Sequence, residues 1–145
     1  MVDTRERYPY RFSHQQAGTE RRALPAGDYG VEAQGEIVAV VERKTVADLA
    51  GRLVDGSLTY TLAELGTIER AALVVEDRYA DLFKLSHVAP GLVADLLAAV
   101  QVRYPNVPIA FCDTRALAEE WTYRFLGAAL GYLEAERERG EGQTL

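Results

Sequence analysis

An apolar stretch of the sequence ends in charged residues that could do chemistry together. Residues 36–44 read EIVAVVERK, and Glu42 and Lys44 stand two positions apart at its end. Alternate residues of a strand project to one face, so Glu42 and Lys44 project together and Arg43 projects away. Asp28 directly precedes another predicted strand, 29–33. Pairing of the two strands as a hairpin would bring the Asp28 carboxylate towards Glu42.

Two carboxylates and a lysine suit metal-assisted cleavage of a phosphodiester. Carboxylates hold hard cations such as Mg²⁺, and the metal lowers the pKa of a bound water and offsets charge on the phosphate. A lysine can orient that water and stabilise developing negative charge. An E-x-K triplet alone also fits an ordinary surface strand with a cross-strand ion pair, so the triplet by itself does not decide between the two.

Three further polar segments stand near these residues in the sequence. Thr45 and Asp48 have the spacing of a helix N-cap and its third residue, and capping is sufficient to explain Asp48, although its carboxylate would lie beside Lys44. The segment from Asp3 to Glu6 reads on its own as solvated surface. Residues 8–12, YPYRF, mix aromatic and basic side chains, which fits an anchor for the N-terminal loop better than a surface that stacks on bases.

The elements that must position these residues alternate between strands and helices. A chain of 145 residues with 48% hydrophobic and 26% charged residues suits one globular domain. We expect an α/β domain over residues 1–139, with a central mixed sheet flanked by helices and a disordered tail at 140–145. The predicted strands are 19–24, 29–33, 36–44, 71–75 and 107–112, and the predicted helices are 46–54, 57–65, 79–83, 92–104 and 114–138. On the last helix, the predicted core stripe is Leu117, Trp121, Phe125 and Leu130.

Charge and composition exclude several classes of protein. The single Cys112 excludes a disulfide scaffold. With 16 basic and 22 acidic residues the net charge is −6, which argues against a protein that holds nucleic acid by bulk charge. No apolar run approaches the ~20 residues of a membrane helix, and the charged N-terminus lacks a signal core. We therefore expect a cytoplasmic protein without a membrane partner.

Taken together, the motifs resemble those of the XPF-type nuclease domain, a branch of the restriction-endonuclease-like superfamily. The resemblance is carried by residues 2–6 (VDTRE), 24–29 (LPAGDY) and 41–49 (VERKTVADL), which fill every position of a G-D, E-R-K-x-x-x-D signature. It implies a single restriction-endonuclease-like domain. It also implies an endodeoxyribonuclease dependent on Mg²⁺ or Mn²⁺ that cuts branched, flap or single-strand-containing DNA in repair or recombination.

The resemblance also implies roles for particular residues and partners. Asp28 and Glu42 would bind the divalent metal, with Asp3 as a further contact, and Lys44 would be the catalytic lysine. The implied supporting residues of the active site are Asp3, Glu6, Arg43 and Asp48. Relatives pair through their nuclease domains, so a homodimer is expected, with Tyr132, Leu133 and the neighbouring Gly131 as additions to the dimer face. The tandem helix-hairpin-helix module of many relatives is missing, so we expect an additional DNA-binding domain or partner protein.

Two departures from the family pattern keep other functions open. Ser57 and Thr61 occupy places where the family often has Arg and Gln, which favours a catalytically silent module that binds DNA or a partner. The intact Asp28, Glu42 and Lys44 argue against that alternative. A glycosidase using Asp28 and Glu42 as its acid pair ranks last, because it gives Lys44 no role.

Overall fold

A computed structural model describes residues 1–6, 9–12 and 19–143 of the chain. The strands are β1 (Tyr29–Ala33), β2 (Glu36–Lys44), β3 (Arg70–Val75) and β4 (Ile109–Phe111). The helices are α1 (Val46–Val54), α2 (Leu58–Leu65), a 3₁₀ helix (Tyr79–Lys84), α3 (Pro90–Arg103) and α4 (Arg115–Gln143). The sheet has the order β1-β2-β3-β4; β1 is antiparallel to β2, and the other pairs are parallel. The predicted α/β class with a mixed sheet is therefore confirmed.

The β1–β2 hairpin sets the register that the candidate chemistry needs. Its two-residue turn has Gln34 at φ 52° and Gly35 at φ 83°, the left-handed conformations of a type I′ turn. The register pairs Tyr29 with Val41. The residues that precede Tyr29 and follow Val41 are Asp28 and Glu42, so the hairpin places these two opposite each other at its open end.

The sheet is buried on both faces, which explains the continuous apolar run of β2. On one face Val40, Leu73 and Val75 pack with α1, α2 and α3. On the other face Val41 and Val74 pack with the N-terminal segment and α4. Burial on both faces is what a strand in the interior of an α/β sheet requires.

The predicted strand at 19–24 is wrong. In this stretch the described pairing is an isolated bridge between Val2 and Arg21. Only Leu24 of these six residues is buried, so the segment has no apolar face to place against the core. Its backbone instead exchanges two hydrogen bonds with Val2, which accepts from Arg22 N at 2.9 Å and donates to Glu20 O at 2.8 Å.

Helix α4 differs from the expectation in its buried face and in its end. Its buried residues are Ala118, Thr122, Leu126 and Leu133, one position away from most of the predicted stripe. Leu117 is 46% exposed, and Trp121 and Phe125 are partly buried and stacked at 5.1 Å.

The helix continues to Gln143, so residues 140–143 are helical although the sequence placed them in a disordered tail. A glycine costs only ~1 kcal/mol in a helix, which a long helix tolerates. In the described part of the chain every helix is too short or too polar to span a bilayer.

Candidate active site

Glu42 and Lys44 lie together at the carboxyl end of β2, as strand alternation predicts. Lys44 Nζ is 3.1 Å from Glu42 Oε2, and both side chains are mostly buried. They point to the α1–α2 side of the sheet, whereas the Arg43 side chain points to the N-terminal segment. In α/β folds, clefts at the carboxyl ends of parallel strands commonly bind ligands.

A glycine turn places Asp28 against this end of β2. Gly27 has φ +78°, and a Cβ there would lie 3.0 Å from Val40 Cβ and 3.2 Å from Val41 O. Only glycine fits both the left-handed conformation and this close approach. Asp28 N donates to Val41 O at 2.8 Å, and Asp28 Oδ2 accepts from Arg43 N at 2.9 Å. The backbone of β2 thus fixes the Asp28 carboxylate.

The Asp28 carboxylate is the poorly neutralised member of the pair. Burial, and then the charge of Glu42, raise the pKa of Asp28 to about 7, while the Arg43 N–H and the Lys44 charge oppose the shift. The ionised form of such a carboxyl group is disfavoured by its burial and by the neighbouring negative charge. Asp28 and Glu42 therefore form a place where an added cation would be strongly favoured.

An open groove runs past this carboxylate pair in two directions. A cavity of about 310 Å³ extends towards α2 and is lined by Arg5, Thr61 and Glu64. A second cavity of about 270 Å³ extends towards α1 and is lined by Lys44, Thr45, Asp48 and Glu76. Glu6, Asp28 and Glu42 line both cavities, so the pair sits where the two arms of the groove meet.

Asp48 has the capping position that its spacing predicted. Thr45 is the N-cap of α1, and its Oγ1 accepts from Asp48 N at 3.2 Å. The Asp48 side chain is exposed and lines the same arm of the groove as Lys44. Helix capping therefore explains the hydrogen bond of the Asp48 N–H, while the Asp48 carboxylate remains at the surface of the groove.

Asp3 is engaged elsewhere and is not part of a three-carboxylate cluster. It is 2% exposed; Oδ1 accepts from Leu24 N at 3.0 Å, and Oδ2 accepts from Arg5 Nε at 2.8 Å. Although burial opposes it, these hydrogen bonds hold the Asp3 pKa below its usual range. Asp3 N donates to Asp28 O at 2.7 Å, which supports Asp28 through the backbone.

Asp3 as a further metal contact stays a prediction: it borders the arm of the groove towards α2, but both of its carboxylate oxygens already accept hydrogen bonds. Among the described residues, no group of three or more His, Cys, Asp or Glu side chains is placed to hold a metal ion. The arrangement available to a cation is therefore the pair Asp28 and Glu42. Mg²⁺ is usually held by one or two carboxylates together with water and substrate phosphates, so a pair of oxygen donors in an open groove fits it.

Glu6 and Arg43 belong to a second charged cluster at the same end of β2. The Arg43 side chain lies on the opposite face from Glu42 and Lys44, and Glu6 also borders the groove. Glu6 Oε2 accepts from Arg43 Nε at 2.7 Å and from Tyr29 OH at 2.9 Å. Arg43 Nη1 also donates to Glu76 Oε2 at 3.3 Å. We call this set the arginine cluster; it comprises Glu6, Tyr10, Tyr29, Arg43, Glu76 and Arg115.

Four members of the arginine cluster were not predicted as site residues: Tyr10, Tyr29, Glu76 and Arg115. Tyr10 is 2% exposed and stacks on Tyr29 with ring centroids 4.8 Å apart, in agreement with an anchoring role for its segment. Tyr8 of the same motif lies outside the described residues. Glu76 follows the apolar strand β3 directly, and this was a usable signal, because the ends of neighbouring parallel strands lie side by side. Arg115 carries no signal in the sequence that points to Glu76.

Comparison with known proteins agrees with the fold and the motifs. The family model of the ERCC4 domain matches residues 2–125. The chain therefore belongs to the ERCC4 domain family, and its resemblance to XPF-type nuclease domains is confirmed.

Solved structures of XPF from Aeropyrum pernix are similar in fold. The one in complex with DNA has a TM-score of 0.69 and 27% identity, over 86% of this chain and 62% of that chain. Another has a TM-score of 0.73 and 22% identity, over 92% of this chain and 67% of that chain. A protein of Methanocaldococcus jannaschii described as an ATP-dependent RNA helicase is 34% identical over 76 residues. That match covers 52% of this chain and 9% of the helicase, so this chain spans only part of its relatives.

Proposed function

We propose that this domain is a DNA endonuclease that hydrolyses phosphodiester bonds with Mg²⁺ or Mn²⁺ held by Asp28 and Glu42. The observation that carries the proposal is the pair itself, with opposed carboxylates, a raised Asp28 pKa and the Lys44 amine 3.1 Å from Glu42. When bound, the metal ion would supply a water of lowered pKa and positive charge against the phosphate.

The cytoplasmic location of the protein remains a prediction.

The residues of the site have different roles in the proposed reaction. Asp28 is held by its backbone contacts with Val41 and Arg43, so its carboxylate needs little reordering to bind a cation. Lys44 faces the same groove as the pair and can donate to a phosphate oxygen as negative charge develops. Asp3, Glu6 and Arg43 contact Asp28 or its neighbours rather than a substrate and serve as positioning residues.

The proposed substrate is branched, flap or single-strand-containing DNA, processed in repair or recombination. The complex of Aeropyrum pernix XPF with DNA supports DNA as the ligand. The groove carries more carboxylates than basic side chains, and the net charge is −6, so intrinsic affinity for a phosphate backbone should be weak. We therefore propose strong dependence on metal and salt, and help from an additional DNA-binding domain or partner.

Cleavage of labelled flap, fork and duplex DNA tests this function. Wild-type protein and Asp95→Ala, a control on an exposed position of α3, should cut in Mn²⁺ and not in EDTA. Asp28→Ala should not cut. Equal cleavage by wild type and Asp28→Ala would defeat the enzymatic proposal. No cleavage by wild type together with salt-sensitive DNA binding would favour the silent module, which Thr61 in the groove wall makes a real alternative.

We also propose that two copies pair through β4 and the neighbouring face of α4. β4 is the last strand of the sheet. A cavity between it and α4 is lined by Phe111, Leu117 and Trp121 and bordered by Glu120 and Arg124. Apolar centres with charges of both signs at the rim suit a two-fold contact, in which each acidic residue can meet the partner's basic residue. The expected contribution of Leu133 is wrong, because it is 2% exposed and packs with Ala33 and Val38.

Sedimentation equilibrium tests the pairing. Wild type should sediment with twice the mass of the chain, and Trp121→Glu should sediment as a monomer. Val102→Glu is the matched control, because Val102 is 82% exposed and lies on α3. A monomeric wild type, or a dimer that Trp121→Glu leaves intact, would contradict the proposed surface.

A further inference from the structure

Glu76 stands beside the carboxylate pair without being one of its members. It follows β3, its N–H donates to Lys44 O at 2.9 Å, and its side chain is 10% exposed. One oxygen, Oε2, accepts from Tyr10 OH, from Arg43 Nη1 at 3.3 Å and from Arg115 Nη1 at 3.4 Å. A buried carboxylate with three donors on one oxygen is held firmly in place.

These contacts hold Arg43 from several sides. Glu6 accepts a hydrogen bond from Arg43 Nε, and Glu76 accepts one from Arg43 Nη1. The Arg43 guanidinium lies 5.2 Å from the centroid of the Tyr10 ring. The guanidinium of Arg115 lies 4.9 Å from the same centroid. Two glutamates thus balance two arginines, and the positive charge of Arg43 is neutralised within the arginine cluster.

The position of Arg43 matters because it borders the same arm of the groove as Asp28 and Glu42. Guanidinium groups form strong paired hydrogen bonds with carboxylates. Without Glu76, Arg43 would keep its ion pair with Glu6, but its Nη1 could turn to the Asp28 carboxylate, whose Oδ2 already accepts from Arg43 N at 2.9 Å. The Arg43 guanidinium would then compete with a divalent cation for the Asp28 carboxylate.

We propose that Glu76 is a positioning residue that keeps Arg43 away from the carboxylate pair, so that Asp28 and Glu42 remain open to the metal ion. This inference rests on the proposed function. Tyr10 and Arg115 assist by fixing the Glu76 carboxylate. Glu76 itself makes no contact with the metal or the DNA in this role.

Calorimetric titration with Mn²⁺ in the absence of DNA tests the inference, at a temperature well below the unfolding of every variant. Glu76→Ala should raise the half-saturating Mn²⁺ concentration about tenfold, the range seen when a supporting partner of a metal ligand is lost. Glu76→Gln keeps an oxygen that accepts from Tyr10 and Arg43, so it should recover most of the affinity. In cleavage assays excess Mn²⁺ should restore kcat of Glu76→Ala, with KM for DNA unchanged.

Thr122→Ala separates positioning from simple destabilisation. Thr122 is fully buried on α4, away from the groove, and its hydroxyl donates to Ala118 O at 2.7 Å. It should lower Tm while leaving Mn²⁺ binding at the wild-type value. Glu76→Ala that also loses Tm but binds Mn²⁺ like wild type would overturn the inference.

Two further outcomes distinguish failure of the inference from failure of folding or of the proposed function. If Glu76→Ala does not fold, Tyr10→Phe takes its place: it removes one of the three donors and should weaken Mn²⁺ binding measurably, and unchanged binding would overturn the inference. If wild type gives neither Mn²⁺ heat nor cleavage, the proposed function fails as well. A wild type that binds and cuts, beside a Glu76→Ala that binds equally well, refutes the positioning role alone.

Discussion

The carboxylate pair and the arginine cluster are neighbours at the same end of β2, and their charges are balanced to different degrees. In the arginine cluster, Arg43 is matched by Glu6 and Glu76 at 2.7 and 3.3 Å. In the carboxylate pair, Asp28 and Glu42 share Lys44, and the pKa of Asp28 rises to about 7. In the arginine cluster opposite charges are matched, whereas the carboxylate pair holds an unfavourable Asp28 charge next to an open groove.

The two clusters are joined through the backbone of β2. Arg43 N donates to Asp28 Oδ2, while the Arg43 side chain is held on the other face by Glu6 and Glu76. The neutralised cluster therefore supplies the rigid support for the cluster that is left with excess negative charge. Sites that bind cations commonly hold such unfavourable charge, and the surrounding structure must maintain it.

Removal of Arg43 should have the largest effect on folding. Arg43→Met leaves Glu6 and Glu76 buried without their shared partner, which should lower the free energy of unfolding by about 3–5 kcal/mol. Arg124→Met is the control, because the Arg124–Glu120 pair is exposed and should contribute less than about 1 kcal/mol. Urea denaturation of both variants measures the difference, and similar losses would mean that the arginine cluster is not a special support.

Lys44 should matter to the reaction more than to the fold. Lys44→Ala removes the amine that faces the groove, and single-turnover cleavage should slow by about 10²–10³, or ~3–4 kcal/mol of barrier. Lys44→Arg keeps the charge with a wider, planar head and should retain part of the rate. A Lys44→Ala rate within a factor of two of wild type would show that the amine only balances Glu42.

Asp28 should make the metal-free protein less stable as pH rises. Its folded pKa of about 7 exceeds that of an ordinary carboxyl, so between pH ~4 and ~7 the folded state binds more protons than the unfolded state, and stability falls with increasing pH. At ~1.36 kcal/mol per pKa unit over about three units, the effect is on the order of 4 kcal/mol.

Thermal unfolding with and without Mn²⁺ checks this prediction. At pH 8, Asp28→Asn should unfold at a higher temperature than metal-free wild type. Mn²⁺ should stabilise wild type at pH 8, should do so much less at pH 5, and should have no such effect on Asp28→Asn. An Asp28→Asn protein less stable than wild type at pH 8 would mean that the carboxylate is already neutralised by its surroundings.

Local rules predicted the carboxylate pair but not its support. Alternation along β2 and the hairpin register are short-range properties, so the meeting of Asp28 with Glu42 and Lys44 could be read from the sequence. The arginine cluster joins residues far apart in the chain: Arg43 and Glu76 are separated by 33 positions, and Glu76 and Arg115 by 39. Such pairs depend on how the strands and α4 are arranged, which no local pattern contains.

The buried face of α4 shows the same limit. Apolar side chains cover two adjacent stripes of this helix, one through Leu117 and Trp121 and the other through Ala118 and Leu126. Spacing fits both stripes, and side-chain size favoured the aromatic one. The sheet selects the smaller residues because Ala118 and Thr122 allow the helix to approach closely, and the aromatic stripe is left half-exposed beside β4.

Two glycine-to-alanine substitutions, each of which adds a single methyl group, compare the turn before Asp28 with helix α1. Gly27→Ala places a Cβ 3.0 Å from Val40 Cβ at a left-handed φ, so it should destabilise the protein by about 1–3 kcal/mol and displace Asp28, which would weaken Mn²⁺ binding. Gly51→Ala lies in α1 with no heavy atom within 4 Å of the added Cβ. It should stabilise the protein by up to about 1 kcal/mol and leave Mn²⁺ binding unchanged.

Chemical denaturation and Mn²⁺ titration of both glycine variants complete the comparison. Opposite signs in stability, with a loss of metal affinity only for Gly27→Ala, would tie the conformation of the turn to the carboxylate pair. A Gly27→Ala protein that is destabilised but binds Mn²⁺ normally would show that Asp28 keeps its place through Arg43 N alone. In that case the backbone of the arginine cluster, rather than the glycine turn, would be what fixes the metal-binding carboxylate.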